Sequence, residues 1–419
     1  MSRQDYHQEH LSLFVPAPTD TSILSREWID FRPVNQVTGT SVLDFNIPPQ
    51  AASYTDLKRS VLNVKVKLIR GDGSPLQDSD TLGPVNLTLH SIFRQVDVTF
   101  QQKTLPHTGT NYPYKAYIDT ILNTNVNEQS ALGGSQLFYK DTGDVSTNDA
   151  KTGSNNGLFF RYTKTKLSKV LDLEGPLHLD IFQQPRLLVN GVSIGLKLWQ
   201  GHDSFRIITD SLVPDYKIQI VDARFKLCVL KPTSAMLLAN EKMIQDVPAV
   251  YPYLRSDIKT VSVAAGQYGF SADDMFQGLV PSKLIVGLVS SATYNGDYSK
   301  NPFNFGHYDL NSLGLYIDGQ AIPTQPLQPN YASNQYTECY RTLTQYKKDI
   351  DISLEDYKKG YCFYILNVDP FYAFNSKRKG HCRLELKFAT ALPESITIIM
   401  YASFPEILHI DRARDVFVK

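Results

Sequence analysis

Residues Pro84 to Leu122 read PVNLTLHSIFRQVDVTFQQKTLPHTGTNYPYKAYIDTIL, and their pattern decides how the rest of the chain is divided. Val96, Val98 and Phe100 alternate with Asp97 and Thr99, the period of a strand with one wet face, and Gln101 to Pro106 breaks the run. After a loop, Tyr114, Tyr117, Ile118, Ile121 and Leu122 recur at spacings of three and four, which predicts a short helix with its rings and aliphatics on one side.

The same order returns in the second half. Leu313, Leu315 and Ile317 alternate into Asp318-Gly319-Gln320-Ala321-Ile322-Pro323, and a loop then leads to Tyr336, Cys339, Tyr340 and Leu343 at helical spacing. Pro323 follows Pro106 by about half the chain. A period that long is too large for a solenoid and fits two tandem copies of one fold.

The 419 residues suffice for two sizeable cores. Forty-two basic and 42 acidic side chains cancel, so no global field recruits nucleic acid or an anionic membrane. Cys228, Cys339, Cys362 and Cys382 form no C-x-x-C pair and read as free buried thiols in a reducing compartment. Met1 to His10 carries no apolar export signal, and no run of about 18 apolar residues occurs, so neither secretion nor a membrane span is expected.

Residues 1–27 read as a polar arm. Strands are expected at Trp28 to Phe31, Val42 to Ile47, Val61 to Ile69, Val96 to Phe100, Leu158 to Tyr162, Leu177 to Phe182, Val192 to Leu198 and Tyr216 to Leu230, the last with a phase shift near Asp222 that suggests a bulge. Asn123 to Gly157 is polar and reads as a long surface excursion. A first unit therefore spans 28–231, and a linker element at 232–250 carries a helix over Ala235 to Ile244. The second unit, 251–409, has strands at Tyr251 to Val263, Leu284 to Val289, Leu313 to Ile317, Tyr361 to Val368, Cys382 to Phe388 and Ile396 to Ala402. It also has a long loop at Asn295 to Tyr308, and a tail closes the chain at 410–419. Roughly eight short strands per unit, with few helices in the connections, predict an all-β chain of two tandem eight-stranded jelly rolls.

Marks of catalysis are missing. No H-E-x-x-H, G-x-x-x-x-G-K-[ST] or G-x-G-x-x-G occurs, and the nine histidines are scattered, so neither a catalytic set, a metal site nor a cofactor is expected. His178 and Asp180 would share one side of a strand, an arrangement open to a metal or acid/base pair, with a solvated sheet face as the plainer expectation. His381 and Cys382 would point to opposite faces, and Glu355-Asp356 lies on a wet face. Lys377, Arg378 and Lys379 form the densest basic patch, read as a solvated loop with weak potential for phosphate contact. Twenty-four Tyr against two Trp favour sheet faces and wet interfaces, and Tyr112, Tyr114, Tyr117, Tyr336 and Tyr340 are the candidates for packing or interface roles.

Phe14-Val15-Pro16 with Thr21-Ser22-Ile23, then Pro84-Val85-Asn86-Leu87, Leu89-His90-Ser91, Phe93, Gln95-Val96-Asp97-Val98 and Tyr112-Pro113-Tyr114-Lys115-Ala116-Tyr117, resemble the signature of the major capsid protein of Polinton (Maverick) elements and their adintovirus relatives. The resemblance covers mainly the first third of the chain. It implies a double jelly-roll structural protein that forms homotrimers of pseudo-hexameric outline in an icosahedral shell around double-stranded DNA, without sequence-specific nucleic-acid binding. Its implied partners are further copies of itself and a minor, vertex capsid protein. It would be made in the host cytoplasm, assembled in the nucleus and located in the virion capsid, with membrane contact left open. In that picture the two long loops form outer towers or lie between subunits, and both termini reach the inner side or a neighbour. The alternatives are a minor capsid protein, a carbohydrate- or receptor-binding double β-sandwich, and a bicupin-type metalloenzyme.

Overall fold

A computed structural model describes residues 22–106, 109–368 and 378–418. The first 21 residues, which include most of the arm with His7 and His10, lie outside the described residues, as do His107 and Lys377.

Eight strands build the first sandwich: β1 (Ile23–Phe31), β2 (Val42–Ile47), β3 (Tyr54–Arg70), β4 (Phe93–Phe100), β5 (Lys103–Thr104), β6 (Leu171–Pro176), β7 (Ile194–Gln200) and β8 (Tyr216–Pro232). They form two antiparallel sheets, ordered β1-β8-β3-β6 and β2-β7-β4-β5. Eight more build the second: β9 (Ala249–Val263), β10 (Gly269–Asp273), β11 (Lys283–Ser290), β12 (Leu310–Ile317), β13 (Gln320–Leu327), β14 (Phe363–Asn367), β15 (Cys382–Phe388) and β16 (Ile396–Ile410). Their sheets are ordered β9-β16-β11-β14 and β10-β15-β12-β13. Each strand of the second sandwich thus occupies the place of the strand eight earlier. The chain is a double jelly roll.

The core follows the strand pattern. In β4, Val96, Val98 and Phe100 are buried while Asp97 and Thr99 stay half-exposed. In β8 the phase shift is a bulge: Ile220 pairs with Val66 and Asp222 with Lys65, leaving Val221 as the extra residue. The bulge lets Ile218 and Ile220 before it, and Ala223, Phe225 and Leu227 after it, all face the core. Strand β11 is buried along its whole length, flanked by β14 and β16, with the ring of Phe305 from the 295–308 loop lying over Gly287.

Several expectations need correction. Leu158 to Tyr162 is not a strand but the middle of a helix over Asn156–Thr165, whose N-terminus is capped by the Asn155 side chain accepting from the Leu158 N–H at 3.2 Å. A short apolar run fits either period, and the cap decides for the helix. Leu177 to Phe182 is likewise no strand. The strand lies upstream, in β6, and Asp180–Gln183 turns into a short helix. The polar stretch after Asn123 is no simple surface excursion: it contains a helix at Val126–Ser135 and buries Leu137, Phe138, Asp141 and Val145. The first strand starts at Ile23, inside the expected arm. The tail does not leave the chain, since β17 (Val416–Val418) pairs with β16 and the Lys103 ammonium donates to the Val416 carbonyl at 2.8 Å.

The hairpin between β12 and β13 turns on Asp318 and Gly319, both left-handed (φ 50° and 84°), the pair that a tight two-residue turn favours. The matching hairpin between β4 and β5 places Gln101 and Gln102 in the same region (φ 47° and 65°), where a Cβ is strained. Gln102→Gly is therefore expected to stabilise the protein by about 0.5–1 kcal/mol and Gly319→Gln to destabilise it by about 1 kcal/mol. Urea midpoints of the two variants against the parent check both signs.

Candidate functional site

The seam between the sandwiches is built around helix α1 (Tyr112–Asn123), which the first sandwich supplies with Pro113 in its opening turn. Ten of its 12 residues are buried, because it packs on its own sandwich with one side and on the second sandwich with the other.

One part of the seam is aromatic. Tyr117 stacks on Phe303 with centroids 4.1 Å apart, and Tyr114 meets Phe303 edge-on at 5.7 Å and stacks on Tyr294 at 5.8 Å. Phe305 lies against Phe363 at 4.4 Å and sits directly over Gly287 of β11, where a Cβ would come within 2.6 Å of its ring. Gly287 is thus the gap that admits the ring. The loop at Asn295 to Tyr308 supplies Phe303 and Phe305 and meets the first sandwich's own long loop, where Asn301 Nδ2 donates to Asp141 Oδ2 at 3.1 Å. Asp141 also pairs with the fully buried Arg161 at 2.9 Å, and its carbonyl accepts from the Tyr361 hydroxyl at 2.8 Å. Both loops therefore join the two halves of one chain rather than standing free.

Beside the rings lies a buried ionic cluster. Lys115 Nζ sits 2.7 Å from Asp119 Oδ2 and 3.0 Å from Asp180 Oδ1. The second sandwich completes it: Tyr401 donates to Asp119 Oδ1 at 2.9 Å, and Ser256 donates to Asp180 through its N–H at 2.7 Å and its hydroxyl at 2.8 Å. Burial opposes the Lys115 charge, yet Asp119 and Asp180 hold its pKa well above the ordinary value. Burial would likewise raise the Asp119 carboxyl, but Lys115 and His178 outweigh it and hold that group well below the usual carboxylate range. The cluster lines a cleft of about 570 Å³ between the sandwiches, whose lining also includes Lys283 and Tyr346.

His178 and Asp180 were expected on a solvated sheet face. They turn inward instead, because the chain leaves β6 at Pro176 and the Lys115 charge draws Asp180 into the seam. His178 Nδ1 lies 3.6 Å from Asp119, and its ring meets His90 edge-on at 4.6 Å. His90 is fully buried, with Nδ1 2.9 Å from the Tyr112 hydroxyl and Nε2 3.1 Å from Gln136 Oε1. A neutral ring protonated on Nε2 satisfies both partners. Burial and the neighbouring His178 push its pKa well below 6.5.

Tyr112, Tyr114 and Tyr117 are thus covered within this chain. Tyr336 and Tyr340 belong to a different cluster, within the second half of the chain, Tyr336 capping and Tyr340 lying in the helix Thr337–Tyr346. Tyr336 stacks on Tyr331 at 5.2 Å, and Tyr340 donates to the Ile352 carbonyl at 2.8 Å. The structure does not bring the two sets of tyrosines together at one site. Arg378 and Lys379 are exposed next to the β-bridge between Leu279 and Lys379. His381 is exposed and Cys382 buried, as opposite faces require. Asp356 does not simply face solvent: it pairs with Lys140 of the first sandwich at 2.9 Å. The four cysteines are free and buried, and burial raises every thiol, Cys339 to about 12 and Cys382 to about 11. Among the described residues no group of three or more His, Cys, Asp and Glu could hold a metal ion, and no helix is long and apolar enough to cross a membrane. Lys115 and Asp119 escaped the sequence reading, although their spacing of four on a mostly apolar helix marked them as a pair.

No family model matches the chain. The uncharacterized protein F54H12.2 of Caenorhabditis elegans is 24% identical over 428 residues, covering 96% of this chain and 98% of its own length. A chain of the Sputnik virophage, solved by cryo-EM, superposes with a TM-score of 0.66 at 12% identity over 98% of this chain and 91% of that one. The Faustovirus major capsid protein gives 0.63 at 9% identity (98% and 94% covered), and the mavirus major capsid protein 0.59 at 10% (98% and 92% covered). The likeness is one of fold, and the fold is the double jelly roll of viral major capsid proteins.

Lys115→Met leaves two buried carboxylates unpaired and is expected to cost about 3–5 kcal/mol, most of it recovered when Asp119→Asn and Asp180→Asn are added. Denaturant unfolding of the single and triple variants checks this. Because the His90 pKa is depressed on folding, the neutral ring's stability is fully present above pH 6.5 and is lost as the pH falls. The expected loss is about 1.4 kcal/mol per pH unit until the folded-state pKa is passed. Urea midpoints between pH 7 and about 5 should show at least that slope in the parent, and His90→Gln should reduce it, with His307, whose pKa burial also lowers, supplying a remainder.

Proposed function

We propose that this chain is a viral structural protein, the major capsid subunit of a shell built from trimers. The observation that carries this reading is the exact shift of eight between the two strand orders, together with the likeness of the whole chain, over both sandwiches, to the Faustovirus and mavirus major capsid proteins. Three copies of a chain with two equivalent sandwiches present six similar units around a threefold axis, so a pseudo-hexamer fills a hexagonal lattice position. The seam fits that use. Aromatic stacking and a buried ion cluster hold the two units in one orientation, and a lattice needs that orientation to be the same in every copy.

The finer assignment is to the Polinton and adintovirus group. It rests on the motif run from Pro84 to Tyr117. A minor, vertex-forming capsid protein of one jelly roll fits less well, because the second sandwich is complete. On this reading the protein is no enzyme, takes no cofactor, meets a vertex protein in the shell, and encloses double-stranded DNA without condensing it, consistent with 42 charges of each sign.

Light scattering of the purified protein should give a mass near three times 47.2 kDa, and electron microscopy of the same sample should show hexagonal capsomers or hollow shells. A monomer at every concentration and salt, without particles, would remove the capsid reading.

A further inference from the structure

We infer that the helix Thr337–Tyr346 of one copy packs on the outer face of the first sandwich of the next copy, so that the seam inside the chain is repeated between chains; the inference rests on the shell reading. The duplication supplies the template. Within the chain, α1 follows β5 and lies against the sheet that holds β9 and β16, whose Ser256 and Tyr401 hydrogen-bond its ionic cluster. A shift of eight strands gives the counterpart of each side. The helix Thr337–Tyr346 follows β13 as α1 follows β5, and β1 and β8 stand where β9 and β16 stand.

Both counterparts are open. Ten of the 12 residues of α1 are buried, but of the ten in its counterpart only Cys339 and Leu343 are. The last turn of that helix touches α1, where the Tyr346 hydroxyl donates to Asn123 Oδ1 at 3.2 Å, while Glu338 and Arg341 pair with each other at 3.5 Å on its exposed side. On the first sandwich, Ile29 and Phe31 of β1 pack against the core, so Trp28 and Asp30 turn outward. Trp28, one of two tryptophans in the chain, is 52% exposed. Beside it runs a ladder of half-exposed ion pairs, Arg224 with Asp30 at 3.8 Å and Lys226 with Glu174. Glu338 and Arg341 each meet the opposite charge on that ladder, and Trp28 supplies the apolar anchor. Because the two faces differ, the contact runs head to tail instead of about a twofold axis. With two units per copy, a ring of six similar units closes at three copies.

The test places a benzophenone amino acid at Arg341 in the full chain, with ¹⁴N- and ¹⁵N-labelled copies mixed before assembly. Crosslinks between chains to β1 or β8 are the expected result. Oligomers that crosslink elsewhere, only within one chain, or not at all overturn the contact and leave the shell reading standing; a chain that stays monomeric overturns both. Trp28→Glu gives a second readout that needs no crosslink. Residue 28 lies at the surface, so the urea midpoint of the dissociated chain is expected to stay with the parent's. The concentration needed for assembly is expected to rise about tenfold or more, and Trp28→Phe to keep most of the parent's assembly. Assembly of Trp28→Glu at the parent's concentration would also overturn the contact.

Discussion

A buried ammonium, Lys115, governs how the two halves of this chain sit together. It lies between two carboxylates of its own sandwich, Asp119 and Asp180, and each of those accepts hydrogen bonds from the other sandwich, through Tyr401 and Ser256. Charges in such a place are costly unless every partner is present. The arrangement therefore tolerates one relative placement of the sandwiches and penalises slippage, which rings stacking alone would permit. Hydrophobic burial supplies the adhesion at Tyr114, Tyr117, Phe303 and Phe305; the ionic cluster supplies the register.

The same division runs through the rest of the seam. Asp141 is shared among Arg161, Asn301 and Tyr361, so the long loop of each sandwich is fixed by the other. Lys140 reaches Asp351 and Asp356 at the rim, where partial exposure makes the pairs worth less. Loops that would otherwise be variable surface become the joint between domains. This explains why residues in them, such as Phe303 and Asn301, are as buried as core strand residues.

On the proposed reading as a shell subunit, such a joint has a mechanical meaning, because a capsomer with two sandwiches per copy would keep its outline only if the angle between them is constant. A joint that is both packed and ionically registered is stiff in the sense that small displacements lose several partners at once. The neutral, doubly bonded His90 extends this registration toward Tyr112 and the Asp119 side of the cluster, and makes it sensitive to mild acid.

Strand periodicity and duplication were legible in the chain itself. Val96, Val98 and Phe100 announced their strand and the break near Asp222 announced its bulge, because each depends on residues within a few positions of one another. The motif run from Pro84 to Tyr117 pointed to the fold as well. Where the deciding partner was remote, local pattern failed. Leu158 to Tyr162 fits strand or helix until Asn155 caps it, and Gln101-Gln102 makes a tight turn that its residue types do not advertise. His178 and Asp180 looked like a wet sheet face, since nothing near them in sequence reveals that Lys115 will neutralise Asp180 and that Ser256 will complete it from the other sandwich. The sequence by itself determined two jelly rolls and their order. Only the tertiary structure decided how they are joined, because a buried charge takes its meaning from groups that folding, not sequence proximity, brings to it.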